Sequence, residues 1–171
     1  MPATIDRNFR MTEDLIGLLA EPGQPDSFFE ALDTVLAARV GHRLLTLLYK
    51  DGDEVARIYS TMPDAYPVFG RKPMGVTPWG DLVLRRQEPF LGRDRDAVKW
   101  AFFDHELIAS LGLNSAINIP VVYDGETIGT INLLHEEYFY TDKHVQIAKK
   151  FAPLLIPAFL EARRDGSKSR A

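Results

Sequence analysis

The chain contains no cysteine. That absence removes disulfides, thiolate nucleophiles, thiolate metal sites and covalent thioether cofactors together. The 4 histidines are scattered, and His135-Glu136-Glu137 lacks the second histidine of a zinc helix, so no metal is expected. There is no glycine-rich phosphate loop, no G-x-S-x-G elbow and no other nucleophile motif. The longest apolar run, Phe151 to Leu160, is short and interrupted by two prolines, against roughly 20 residues for a bilayer span. The first residues, MPATIDRNFRMTED, are polar and charged, unlike a secretory signal. A net charge of -4 offers no electrostatic reason to bind nucleic acid. These absences point to a soluble, cytoplasmic protein without cofactor, nucleic-acid partner or membrane partner.

What is present is apolar and strand-like. A chain of 171 residues with 46% hydrophobic content fits one compact domain. The most informative stretch is Ser115 to His135, SAINIPVVYDGETIGTINLLH. Asp124-Gly125 between two Ile/Val-rich runs is a strong signal for a type I′ hairpin. A two-residue turn sets Tyr123 opposite Glu126. Unbroken alternation then places Asn118, Val122, Gly129, Ile131, Leu133 and His135 on one face. Ile117, Ile119, Val121, Ile128, Thr130, Asn132 and Leu134 fall on the other. Both faces are mostly apolar, so both must be covered. Each carries an Asn, which is costly to bury alone.

The rest of the chain reads as alternating helices and strands. Thr12 can cap a short helix to Ala20, which Glu21-Pro22-Gly23 stops. Ser27 and Glu30 have capping-box spacing for a helix with Phe28, Leu32, Val35 and Leu36 inward and Gly41 at its end. Leu44–Tyr49 and Val55–Thr61 read as strands joined at Asp51-Gly52, a second hairpin of the same type. Residues 62–76, with three prolines and two glycines, are expected to be irregular. Thr77-Pro78 restarts a helix that turns Trp79, Leu82 and Val83 inward. Pro89 to Gly92 suits a short edge strand. Asp94 or Asp96 caps a helix with Trp100, Phe103, Leu107 and Leu111 on its apolar side, closed by Gly112.

A final helix is expected from about Thr141 to Arg164. Val145, Ala148, Ala152, Leu155, Phe159 and Ala162 form one stripe, and Ile147, Phe151, Leu154 and Ala158 another. Pro153 and Pro157 should bend it, at about 3 kcal/mol each. A helix apolar around most of its girth lies between other layers or is covered partly by a second copy, and both readings stay open. Residues 1–11 form an N-terminal arm, 12–163 a single domain and 164–171 a flexible tail.

The element order, with Ser110-Leu111-Gly112, Ser115, Ile119-Pro120-Val121, Asp124-Gly125-Glu126 and Ile128-Gly129-Thr130-Ile131-Asn132-Leu133, resembles the GAF domain from about residue 12 to 163. The resemblance implies an α+β fold, PAS-related, with a central antiparallel β-sheet of five or six strands. Terminal helices would cover one face; a loop and short helices would cover the other and enclose a small-molecule pocket. It also implies a ligand sensor more readily than an enzyme, with dimerisation through the terminal helices. GAF domains that hold linear tetrapyrroles covalently, and relatives that reduce free methionine sulfoxide, need cysteines that this chain lacks. The Asn-Lys…Phe…Asp-Glu pattern of cyclic-nucleotide-binding members is poorly matched by Lys99, Phe102 or Phe103, Asp104 and Glu106. With no effector domain in the sequence, output is expected through a separate protein.

Candidate ligand-binding residues are Tyr59, Tyr66, Phe69, Arg71, Trp79, Phe103, Asp104, His105, Ser115 and Asn118. Arg71 and Lys72 precede the Thr77-Pro78 helix start, where free N–H groups and cations suit a carboxylate or phosphate. The same two cations also suit a solvated loop. Tyr66, Phe69 and Trp79 would be aromatic walls. Asp104-His105-Glu106 cannot converge on one ion from successive helical positions, so a structural role competes with acid–base work. Asn118 and Asn132 are disfavoured mid-strand, and each either satisfies a loop or faces a ligand. Room beside Gly129 favours Asn118. The reading is a non-catalytic, homodimeric sensor of a small metabolite between the sheet and residues 59–108. The alternatives are an enzyme using Asp104, His105 and Arg71, and a scaffold whose pocket is filled by its own rings.

Overall fold

The computed structural model describes residues 13–169, with side chains to residue 166. The chain divides into two compact units, Met1–Gly41 and His42–Ala171. In the first, residues 13–18 are helical, and the proposed Thr12 cap lies outside the described residues. Helix α1, Asp26–Arg39, buries Phe28, Phe29, Leu32, Val35 and Leu36. The Ser27 capping box does not form: Pro25 occupies the N-cap. The Ser27 hydroxyl instead accepts from the Gln24 amide, which also donates to Leu18 O. Gly41, at φ 93°, ends the helix by donating to Leu36 O, as a left-handed terminator should.

The second unit is α+β, built on a six-stranded antiparallel sheet. Its strands are β1 (Leu44–Asp51), β2 (Glu54–Ser60), β3 (Arg71–Pro73), β4 (Phe90–Gly92), β5 (Ser115–Tyr123) and β6 (Glu126–His135). They lie in the order β3-β2-β1-β6-β5-β4. Both hairpins occur, with different turns. Asp124 (φ 51°) and Gly125 (φ 77°) are both left-handed, as type I′ requires. In the first hairpin Asp51 pairs with Glu54, so the turn is Gly52-Asp53 rather than Asp51-Gly52. Only Gly52 has positive φ there, the type II′ pattern.

Two bulges reset the faces expected from strict alternation. In the long hairpin Val122 pairs with Thr127 but Val121 with Gly129, which leaves Ile128 as an extra residue on β6. The pairing therefore slips by one, and Asn118 stands directly opposite Asn132 instead of on the other face. In the first hairpin Leu48 pairs with Arg57 but Leu47 with Tyr59, so Ile58 is the extra residue. Leu44, Thr46, Leu48, Asn118, Thr130, Asn132 and Leu134 consequently share one face.

The C-terminal helices cover the opposite face, where Leu45, Leu47, Ile117, Ile119, Ile131 and Leu133 are buried. The expected single helix is three pieces: α5 (Asp142–Lys149), a 3₁₀ turn (Ala152–Leu155) and α6 (Ile156–Ser169). Pro153 and Pro157 each fall in the first turn of a new piece. A missing N–H costs nothing there, so the expected interior-proline penalty is avoided. Ala152, Leu155, Ala158 and Phe159 are buried, and the last two pieces contact β1, β5 and β6.

Connections on the first face also depart from expectation. Residues 62–76 are not wholly irregular, because β3 adds to the β2 edge. Thr77 accepts from Gly80 N–H and caps α2 (Pro78–Gly80), which continues as a π-turn over Asp81–Arg85. The helix expected from Asp94 is two: α3 (Arg95–Ala101), capped by Asp94, and α4 (His105–Ser110). The chain is extended at Phe102, so the 3.6-residue period does not carry across. Val98 and Ile108 are the buried positions, while Trp100 and Phe103 are 51% and 82% exposed.

A histidine pair gives the fold a pH dependence. Thr141 N–H donates to His144 Nδ1 at 3.0 Å, and Glu136 N–H donates to His135 Nδ1 at 2.8 Å. Both rings stack on Phe139. Each Nδ1 must be unprotonated to accept. Burial lowers both pKa values, helped by Arg43 at His135 and Lys143 at His144; Glu136 opposes it at His135. The unfolded chain, with histidine near 6.5, therefore takes up these protons first. Stability is full above about pH 6.5 and declines as pH falls below it. Thermal melts should show a flat Tm from pH 7 to 8 and a fall between 6.5 and 5, flattened in His135→Phe/His144→Gln. A Tm that rises on acidification over that range would refute the assignment.

Candidate functional site

A cavity of about 200 Å³ lies on the first face of the sheet. Its floor is Leu44, Thr46, Leu48, Asn118, Thr130, Asn132 and Leu134, and its cover includes Tyr66, Trp79, Leu84, Phe102 and Ile108. The hollow space counts against a pocket filled by its own rings. One hydrogen-bonded chain organises the floor. Trp79 Nε1–H donates to Asn118 Oδ1 at 2.9 Å, Asn118 Nδ2–H to Asn132 Oδ1 at 2.7 Å, and Asn132 Nδ2–H to Thr46 Oγ1 at 3.2 Å. Both buried amides are thereby partnered, and Trp79 is held in place over the floor beside Phe102, with ring centroids 6.2 Å apart.

The other end is charged. Lys50, Arg57, Lys72 and Asp104 line the wall. Asp104 accepts from the Tyr66 hydroxyl at 3.0 Å. Arg57 lies over the Tyr66 ring, 5.1 Å from its centroid, and donates through Nη1 to Pro67 O. Its Nε is buried with no partner among the described residues. Lys72 lies 4.8 Å from the Phe103 ring centroid, without an ion-pair partner among the described residues. Partial desolvation lowers the pKa of Arg57 and, although it stays largely exposed, of Lys72, against the pull of Asp104 on both. Burial also raises Tyr66, with Asp104 adding to it. Lys72 remains partly open to solvent, so the cations form the mouth of the cavity. Three cations and one carboxylate leave a positive end, and Asp104 is already occupied by Tyr66.

Of the residues singled out in the sequence, Tyr66, Trp79, Phe103, Asp104 and Asn118 line this cavity. The other five do not. Tyr59 would follow Val55 and Arg57 onto this face, but the bulge at Ile58 turns it to the other, opposite Leu47. Phe69, in a left-handed conformation and 81% exposed, is not part of the wall. Arg71 is on the far face, donating to Asp51 Oδ2 and to the Tyr49 hydroxyl. His105 begins α4 outside the wall. The Ser115 hydroxyl is buried between strands, donating to Gly92 O and accepting from Tyr140 N–H. Asp104, His105 and Arg71 therefore do not share an acid–base site. Gly129 offers no room beside Asn118, because Phe159 occupies the space where its side chain would be.

Sequence reasoning missed Arg57, Thr46 and Thr130, and weighed Lys72 only as a partner of Arg71. A usable signal existed: counting in twos away from the first turn puts Lys50 and Arg57 as cations on a face of Val55, Leu48 and Leu44. Among the described residues no cluster of His, Asp and Glu suits a metal ion, and no helix is long and apolar enough to cross a membrane.

Solved structures share this architecture. The GAF domain of a phosphoenolpyruvate-protein phosphotransferase from Coxiella burnetii is 18% identical, with a TM-score of 0.73, covering 95% of this chain and 96% of its own. The chromophore-binding domain of a bacteriophytochrome from R. palustris is 14% identical with a TM-score of 0.65, covering 95% of this chain and 64% of its own. A free methionine-R-sulfoxide reductase from Thermoplasma acidophilum is 16% identical with a TM-score of 0.61, covering 79% of this chain and 92% of its own. At such identities the likeness is one of fold. No functionally curated protein matches the sequence. A family profile described as GAF domain matches residues 26–157, well over half of the chain. The sheet order, the covered faces and that match agree, and the protein belongs to the GAF domain family.

Proposed function

We propose that this GAF domain is a non-catalytic sensor that binds a small anionic metabolite in the cavity and passes the change to a partner protein or a second copy. The observation that carries this reading is the pair of cations at the mouth. Among the described residues Arg57 Nε is a buried donor with no acceptor, and Lys72 feels Asp104 without forming an ion pair. Natural proteins rarely leave such donors unused, and an anion supplies what both lack. The apolar interior suits the ligand body. Tyr66 and Lys72 belong to the 62–76 segment, so an anion there orders that segment against the sheet.

A route to the C-terminal helix follows from strand alternation. Arg71 and Lys72 are adjacent in β3 and face opposite sides. Lys72 meets the cavity, while the Arg71 guanidinium, held by Asp51 and Tyr49, lies against Gly166 of α6, where a side chain would have to displace it. A pull on Lys72 shifts Arg71 and hence α6, where a dimer or effector interface would read it.

Calorimetric titration with phenylacetate and its neutral isostere phenylacetamide tests the reading. The acid should bind at least tenfold more tightly than the amide, since one charge-assisted bond contributes about 1.5–3 kcal/mol. Lys72→Met should weaken the acid at least tenfold with Tm unchanged, because the residue is exposed. Equal binding of acid and amide, or an unaffected Lys72→Met, would reject an anion site.

A further inference from the structure

The cations fix one end of the ligand, and a second orphaned atom marks the other. Thr130 Oγ1 is buried in the cavity floor and has no hydrogen-bond partner among the described residues. Leu48 pairs with Arg57 on one side and with Thr130 on the other. The three side chains therefore stand in one row across the floor, on β2, β1 and β6. At the usual strand spacing the backbones of Arg57 and Thr130 are about 10 Å apart. Nearly every other polar group of the floor is engaged: Thr46, Asn118 and Asn132 are joined in the chain that ends on Trp79. Thr130 does not join it.

A hydroxyl both donates and accepts. Valine would pack in the same place without leaving a polar atom dry, so the unpaired hydroxyl points to a group arriving from outside. Between the two orphaned groups the surroundings are apolar and partly aromatic, with Leu48 beneath and Trp79 and Phe102 above. The volume of about 200 Å³ holds one ring, given that a dry cavity of about 150 Å³ accepts benzene. It falls short of the roughly 300 Å³ at which drug-sized sites begin. A charged head is least costly at the open mouth and a neutral group at the closed end.

We propose, building on the anion reading above, that the ligand is an aromatic monocarboxylate with a hydroxyl across the ring from its acid arm. The carboxylate meets Arg57 and Lys72, the ring lies over Leu48, and the distal hydroxyl bonds to Thr130. A site built around a hydroxyl discriminates strongly against the analogue without it, because a buried group is then left unpaired.

Titration of the full chain with 4-hydroxyphenylacetate and phenylacetate tests this. Wild type should bind 4-hydroxyphenylacetate at least tenfold more tightly. In Thr130→Val the ratio should fall to within about twofold, through weaker binding of 4-hydroxyphenylacetate, with Tm not lowered because the shape is matched. Equal affinities in wild type, or discrimination that survives in Thr130→Val, would overturn the Thr130 assignment while phenylacetate binding that depends on Lys72 kept the anion site standing. Failure of both acids to bind would overturn the two readings together.

Discussion

Gly129→Ala should lower Tm by roughly 6–12 °C, the equivalent of about 3 kcal/mol. Gly129 sits in β6 opposite Tyr49 and Val121. A side chain there would meet the Leu48 carbonyl and the ring of Phe159. Phe159 is fully buried in α6, and Leu48 O belongs to the neighbouring strand, so neither can yield cheaply. The glycine lets α6 approach the sheet closely, next to the bulge at Ile128. Phe159→Leu in the Gly129→Ala background should restore only part of the loss, because the carbonyl contact remains. Thermal and urea melts measure both. A Gly129→Ala protein within about 2 °C of wild type would show that the close approach is not needed.

Asn118→Ala should cost about 3 kcal/mol and also loosen the cavity. The substitution leaves two buried groups stranded: Trp79 Nε1–H loses its acceptor and Asn132 Oδ1 its donor. Each orphan costs about 1–3 kcal/mol. Trp79 is only half-buried, so water relieves part of its loss, and the estimate stays near the middle of the range. Asn132→Ala breaks the same chain one link further on, so the two changes should be non-additive by about 1–2 kcal/mol in a double-mutant cycle. Additive losses would mean that the two amides act independently. Trp79 fluorescence should shift in Asn118→Ala, since the indole loses its anchor. Its emission would stay unchanged if packing against Phe102 alone held the ring.

Much of the architecture was legible in short-range signals. Asp124-Gly125 in one hairpin and the glycine after Asp51 in the other punctuate apolar runs, and such turns depend on local backbone preference. Thr77-Pro78 and Asp94 capped helices where expected, because a cap acts within three residues. What failed was continuation. The apolar stripe Trp100, Phe103, Leu107 and Leu111 required one helix, and the chain turns at Phe102. The long C-terminal helix required two interior prolines, and the fold places each at a fresh start. Half of the candidate site residues met at the cavity. Tyr59 and Arg71 were lost because strand side chains reverse face with each shift of one residue.

The amino-acid sequence by itself determined the Asp124-Gly125 turn, the caps at Thr77 and Asp94, the family signature and the apolar character of both sheet faces, because each follows from neighbours a few residues apart. It also excluded thiol chemistry, because cysteine is absent. The tertiary structure alone decided the two bulges, and with them which residues face the cavity. Ile128 and Ile58 are surplus only with respect to a partner strand. The pairing of Asn118 with Asn132, the row of Arg57, Leu48 and Thr130, and the seat of Phe159 over Gly129 all join residues far apart in the chain. Their register depends on layers that must pack on both sides of one sheet, and no local preference specifies it.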